Sequence, residues 1–213
     1  MPRDHVLHKV RTALGRSAGQ TPEPPPPVCL NVPEMPLEER VTQFRTRLEL
    51  LAGKTAFVET KRAALDYVER ALEGRPAVAS NSPFLAECGI TSLTGVRSGW
   101  TDGAALRREC ETAPVGITSA DYALANTGTL VMIASPSESR LVSLLPPVHI
   151  AVVPASRLLT SLDELLTIVP DPARVTSSLV FITGPSRTAD IEQILVRGVH
   201  GPGEIHVVLV GES

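Results

Sequence analysis

Apolar positions recur every three or four residues at Leu37, Val41, Phe44, Leu48 and Leu51. That spacing lines one face of a helix and predicts one from Pro36 to Leu51. Pro36 suits a first helical turn, and Glu38 and Glu39 fall beside the positive end of the helix dipole. Ala64, Leu65, Val68 and Leu72 predict a second helix over 60–73, and Val6, Val10 and Leu14 a short amphipathic one over 4–16. Elsewhere the apolar residues run together. "TAFVET", "PAVAS", "VGIT", "TGTLVMIA", "HIAVVPA", "SLVFITG" and "IHVVLV" read as strands, the longer ones covered on both faces. Between them, helices are predicted at 83–88, 105–112, 119–126 (with Ser119 as cap), 161–169 and 188–197. Residues 91–104 are rich in Gly, Ser and Thr and show little pattern. Strands and helices thus alternate through 54–210, which predicts an α/β fold: a mostly parallel sheet with helices on both faces.

The pattern breaks at "AGQTPEPPPPV", where positions 22–27 hold five prolines. Such a run neither continues a helix nor pairs in a sheet, so it reads as an extended spacer. The expected organisation is a helical arm over 1–17, a Pro-rich linker over 18–35 and one α/β domain over 36–213. The arm is free to dock on its own domain, on a sister subunit in a homo-oligomer or on a partner.

Composition narrows the function. The chain of 213 residues is 43% hydrophobic and 20% charged, an ordinary globular balance. A net charge of -3 with only 3% aromatics lacks both the basic surface and the stacking platform of a nucleic-acid binder. Cys29, Cys88 and Cys110 are far apart, with no CxxC, so no iron–sulfur cluster is expected in this chain and no disulfide framework either. The five histidines show no HExxH or HxxxH spacing, so no metal site is expected. The N-terminus lacks a signal-peptide apolar core, and no apolar run is long enough for a membrane span. A cytoplasmic protein is the expectation.

Ligands of an open parallel sheet sit outside the carboxyl ends of its strands. On the predicted elements this rule selects Ser80 and Asn81, then Thr118 and Asp121, then the turn Gly184-Pro185-Ser186-Arg187-Thr188 with Asp190. In that turn a predicted helix start offers free N–H groups, Ser186 and Thr188 offer hydroxyls, and Arg187 offers a planar fork suited to carboxylate or phosphate. The opposed reading makes Ser186 or Thr188 a helix cap and Arg187 a solvated cation. The stretch is neither a Walker loop nor GxGxxG. Asn126-Thr127-Gly128-Thr129 has two readings: Gly128 ends a helix in the left-handed conformation, or Asn126 points into a cleft. His200, near a predicted helix C-terminus, reads as a cap in preference to a base. A small anion, lactate, pyruvate or a phosphate, is the expected ligand; the cofactor is unknown.

"GITSADYALANTGTLVM", "ESRLVSLLPPVHIAVVPASRLL" and "FITGPSRTADIEQILVRGVHGPGEIHVVLV" resemble the lactate utilization protein C family, whose domain is called the LUD domain. The resemblance is strong over roughly 80–211. Its matched positions are Thr118, Asp121, Asn126, Thr127, Gly128, Thr129, Arg140, Pro146, Pro147, His149, Gly184, Pro185, Ser186, Arg187, Asp190, His200, Gly201 and Pro202. It implies a NagB/RpiA/CoA-transferase-like α/β sandwich and a role, beside two iron–sulfur partner proteins, in oxidising L-lactate to pyruvate. The partners would then carry the clusters. Related LUD domains often have an acidic residue where this chain has Asn126, which weakens an isomerase-like mechanism, and no catalytic set transfers. Two other readings stand beside this one: an enzyme of the sugar-phosphate isomerase or CoA-transferase type, and an anion-binding sensor or assembly factor without chemistry.

Overall fold

A computed structural model of the protein describes residues 3–17, 19–20, 30–135, 137–189, 195–198 and 200–211. Most of the predicted linker lies outside them. Helix α1 (Arg3–Ala13) keeps its Val6, Val10 and Leu14 stripe exposed. Helix α2 (Leu37–Leu50) buries Val41, Phe44 and Leu48. Then follow β1 (Lys54–Val58), α3 (Lys61–Leu72), β2 (Ala77–Ala79), α4 (Pro83–Glu87), β3 (Val96–Arg97), α5 (Gly103–Thr112) and β4 (Val115–Thr118). The second half comprises β5 (Tyr122–Leu124), β6 (Thr129–Ile133), α6 (Arg140–Leu144), β7 (Val148–Pro154), β8 (Leu158–Leu159), α7 (Leu162–Ile168), α8 (Pro172–Val175), β9 (Leu179–Ile182), β10 (Arg187–Ala189), β11 (Leu195–Arg197) and β12 (Glu204–Val210).

Six strands form one sheet in the order β1-β12-β7-β4-β2-β3, and every pair in it is parallel. Alternation along each strand divides the core. Ile117, Ile150, Val152 and Val208 face α3, whose Ala64, Val68 and Leu72 pack on them. Ala151, Val153, Val207 and Leu209 face the other way, against Phe44 and Leu48 of α2. Phe44 and Leu48 are fully buried, and such a side chain stabilises the fold by roughly 2–3 kcal/mol. Between β7 and β2, α6 rides directly on β4: a Cβ on Gly116 would stand 2.0 Å from the Val142 carbonyl oxygen, so only glycine fits.

Two predicted helices are strands. Residues 122–124 form β5, which joins β8, β6 and β9 in a second sheet of order β8-β5-β6-β9. That sheet is packed with α2 against the parallel sheet, through Ala123, Leu130 and Leu158. In place of a helix over 188–197, β10 and β11 pair antiparallel, Arg187 with Arg197 and Ala189 with Leu195. Local pattern alone favours a helix there, but short elements take their type from pairing partners distant in sequence. The α/β sandwich expected from the resemblance is present, with one face of the parallel sheet covered by a second sheet as well as by helices.

Candidate functional site

The carboxyl ends of the parallel strands open onto a cleft of about 790 Å³. Each wall comes from a different connection. Ser82 follows β2, Ser119–Asp121 follow β4, Pro154–Arg157 close β7, Gly211 follows β12 and Lys61 opens α3. The remaining wall is the loop after β6, with Ser135, Ser137 and Glu138.

That loop is held from both sides. Asn81 N–H donates to the Ser137 carbonyl at 2.9 Å, and Ser119 N–H donates to Glu138 Oε1 at 3.2 Å. Glu138 N–H donates to Ser135 Oγ at 3.1 Å. The carboxyl group is thereby kept in the interior, with Glu138 only 7% exposed. Its second oxygen, Oε2, has no hydrogen-bond partner among the described residues, and neither do the buried hydroxyls of Ser80 and Ser119. Burial pushes the Glu138 carboxyl up to about 7, against the pull of the Ser80 and Ser82 hydroxyls and the Ser119 N–H and with the Asp121 charge adding to the rise. A carboxyl in that range both gives and takes a proton near neutrality, the property of a general acid–base or of a switchable hydrogen-bond partner.

Asp121 is half-buried and oriented: its Oδ2 accepts the Ile133 N–H at 2.6 Å. Burial raises its pKa, while that N–H and the Arg157 charge lower it. Arg157 is exposed at the mouth and gives Nη1 to the Ala120 carbonyl at 3.4 Å, a long bond. Lys61 is paired there with Glu87 at 2.6 Å. Among the described residues, no three His, Cys, Asp or Glu side chains converge as they would around a metal ion.

The residues selected from sequence divide between the two ends of the second sheet. Ser80, Thr118 and Asp121 are at the cleft end. Thr118 faces away from it and bonds His149 Nε2 at 2.8 Å in the core. Asn81 is a brace: Nδ2 donates to the Trp100 carbonyl at 2.6 Å and Oδ1 accepts the N–H groups of Gly99 and Trp100, each at 2.9 Å. Asn126, Thr127, Gly128 and Thr129 lie at the far end, in the turn between β5 and β6. Asn126 is exposed. Thr129 Oγ1 bonds Thr127 at 2.7 Å and Thr183 at 2.9 Å.

Gly184, Ser186 and Arg187 are at that far end too, and the reason is strand direction. β9 runs antiparallel to β6, with Ile182 opposite Leu130 and Leu179 opposite Ile133. Its carboxyl end therefore points to the amino edge of the parallel sheet, away from the cleft. Among the described residues no helix starts after Gly184: Arg187–Ala189 is strand β10, and the Ser186 N–H, expected to be free, donates to the Pro202 carbonyl at 2.8 Å. The Arg187 guanidinium donates to the Leu51 carbonyl, where α2 ends, satisfying a helix C-terminal oxygen. Thr188 is the middle residue of β10 and its side chain, like Asp190, lies outside the described residues. His200 is exposed, in the turn before β12, and caps no helix.

Glu138 was not selected from the sequence. The signal was a carboxylate four residues past the end of a buried strand, in the Ser-rich "SPSES"; it becomes legible only once β6 is known to run toward the cleft. A second polar cluster, Lys54–Glu204–His206–Tyr67, is closed on itself: Glu204 Oε1 meets Lys54 Nζ and His206 Nε2, each at 2.6 Å, and His206 Nδ1 meets the Tyr67 hydroxyl at 3.0 Å. The bond from Lys54, with that from His206, holds the Glu204 carboxyl down at about 2.

Fold and cleft together define an α/β sandwich protein with a polar-lined cleft at the carboxyl edge of a parallel sheet. The LUD domain model matches residues 41–210, and the chain belongs to the LUD domain family. It is 36% identical to Lactate utilization protein C of Halalkalibacterium halodurans, over 78% of this chain and 74% of that protein. It is 34% identical to Lactate utilization protein C of an Exiguobacterium species, over 98% of this chain and 95% of that protein. A crystal structure of a DUF162 family protein from Deinococcus radiodurans has the same fold, with a TM-score of 0.64 at 21% identity, covering 84% of this chain and 100% of that one.

Proposed function

We propose that this chain serves L-lactate utilization as a cluster-free subunit, acting with iron–sulfur partner proteins in the oxidation of lactate to pyruvate and holding a small anionic ligand in the cleft beside Glu138. The observation that carries the reading is similarity along almost the whole length to a protein named Lactate utilization protein C. Cysteine chemistry supports placing the clusters on the partners. Cys88 and Cys110 are buried in the core and their thiols are pushed up to about 11, by burial first and by the neighbouring Glu87 or Glu109 charge. Thiols that resist ionisation are poor iron ligands.

A second reading has one observation behind it. Chemistry on a sugar phosphate or an acyl-CoA needs a placed carboxylate. Asn126 does not supply one, and Glu138 does.

The test is L-lactate-dependent reduction of an electron acceptor in extracts lacking this protein. Wild type and Arg187→Ala are expected to restore it, because Arg187 only fastens α2. Folded Glu138→Gln is expected not to. Undiminished activity in the depleted extract sinks the lactate role and makes the isomerase or transferase assay the next one.

A further inference from the structure

We propose that the cleft binds a small carboxylate carrying an oxygen on its second carbon, with Glu138, Ser80 and Ser119 holding that oxygen and Arg157 holding the carboxylate. The ligand class rests on the lactate reading above; the site rests on the geometry alone.

Glu138 Oε2, Ser80 Oγ and Ser119 Oγ are buried and complete no hydrogen bond among the described residues, although the Ser80 hydroxyl stands close enough to the Glu138 carboxyl to draw its pKa down. Glu138 and Ser119 line the cleft. Ser80 follows β2 and lines a small adjoining pocket with Asn81 and Ser137, its N–H bonded to the Ile117 carbonyl at 2.9 Å. A buried polar oxygen without a completed bond costs stability, and three gathered at one edge of the cleft mark where an oxygen of a ligand would complete their bonding. The chemistry of that partner follows from the trio. An ionised carboxylate repels a phosphate or a second carboxylate placed on it, so the inner group is neutral. A hydroxyl or a carbonyl oxygen matches, since the serines donate or accept and Glu138 accepts when ionised and donates when protonated.

The anionic end belongs at the mouth. Arg157 has only its long bond to Ala120 among the described residues, which leaves its fork able to clamp a carboxylate in bidentate fashion. Lys61 on the opposite wall is paired with Glu87 at 2.6 Å, so the carboxylate clamp falls to Arg157. The charged groups around Glu138 are Asp121, Arg157, Lys61 and Glu87 across the cleft, and Asp102 and Arg140 in the adjoining pocket that Glu138 also lines. Since burial brings Glu138 to about 7, a ligand carbonyl gains a donor on the acid side of neutrality and loses it on the alkaline side.

Calorimetric titration of the full chain with pyruvate, L-lactate and propionate tests this, propionate being the probe without the second-carbon oxygen. Pyruvate and L-lactate are expected to bind at least about tenfold more tightly than propionate. Arg157→Ala is expected to weaken all three by about tenfold. Pyruvate is expected to bind more tightly at about pH 6 than at about pH 8 in wild type, and equally at both in Glu138→Gln. Equal affinity for propionate and L-lactate, or no binding of pyruvate by wild type at millimolar concentration, overturns the site. Such a failure leaves the lactate role standing if depleted extracts still need this chain. Selective binding by a chain the extracts do not need supports the site and sinks the role.

Discussion

Ser119 donates its backbone N–H to Glu138 Oε1 across 3.2 Å, and so fastens the carboxyl end of β4 to the loop that follows β6. One oxygen of the carboxyl is thereby fixed, while the other stays buried and makes no hydrogen bond among the described residues. The same pair joins the parallel sheet to the second sheet, whose β6 delivers Glu138 to the cleft. A proton-carrying group is thus held where six chain connections converge.

Glu138 should weaken the protein at high pH. Its folded-state pKa of about 7 lies above the roughly 4.3 of an ordinary glutamate. The folded protein holds this proton more tightly than the unfolded chain. The linked stability is complete below about pH 4 and is lost as pH rises through 7, on the order of 3 kcal/mol. Glu138→Gln is therefore expected to be more stable than wild type by roughly 2 kcal/mol at about pH 8 and little different at about pH 5. Urea unfolding at the two pH values checks this; a difference that does not change with pH would count against a buried, proton-carrying carboxyl.

His149 runs the opposite way. It is fully buried, and burial, with the His206 charge adding, pushes its pKa down to about 4. The neutral ring contributes stability that is present above about pH 6.5 and lost as pH falls through 4, again on the order of 3 kcal/mol. The imidazole of His149 is expected to show no titration between about pH 5.5 and pH 7.5 in a labelled-histidine NMR series. A midpoint inside that window would contradict the burial of the Thr118–His149 pair.

Asn81 should act on the cleft through its frame. Asn81→Ala removes three hydrogen bonds to the Gly99–Trp100 segment. The expected loss is about 2–4 kcal/mol. Trp100 is the single tryptophan and gives its Nε1–H to the Ala79 carbonyl at 3.1 Å. Its fluorescence should shift to the red in the variant; unchanged emission and an unchanged denaturation midpoint would show that the segment does not depend on Asn81.

Gly128 sits at φ +66, and a Cβ there would lie 2.7 Å from the Leu48 backbone nitrogen. Both the left-handed backbone and the contact with α2 exclude a side chain. Gly128→Ala is expected to cost about 2–4 kcal/mol and to lower the thermal midpoint. The residue reads the same way from the sequence as from the structure, as a left-handed turn, although the element before it is β5 and no helix.

Periodicity alone determined α2, α3 and α7, and unbroken apolar runs determined β4, β6, β7 and β12, because each of these carries its burial pattern within its own residues. With them came the parallel α/β class and the rule that a ligand belongs at the carboxyl edge. Tertiary structure decided the rest. Whether Tyr122–Leu124 is helix or strand depends on β6 and β8 lying on either side of it. Whether Arg187 faces a ligand depends on β9 running antiparallel to β6, which carries the residue to the amino edge and onto the Leu51 carbonyl. Glu138 acquires its chemistry only when the end of β4 closes over it, since a pKa is set by solvent exclusion and neighbouring dipoles that no local pattern records.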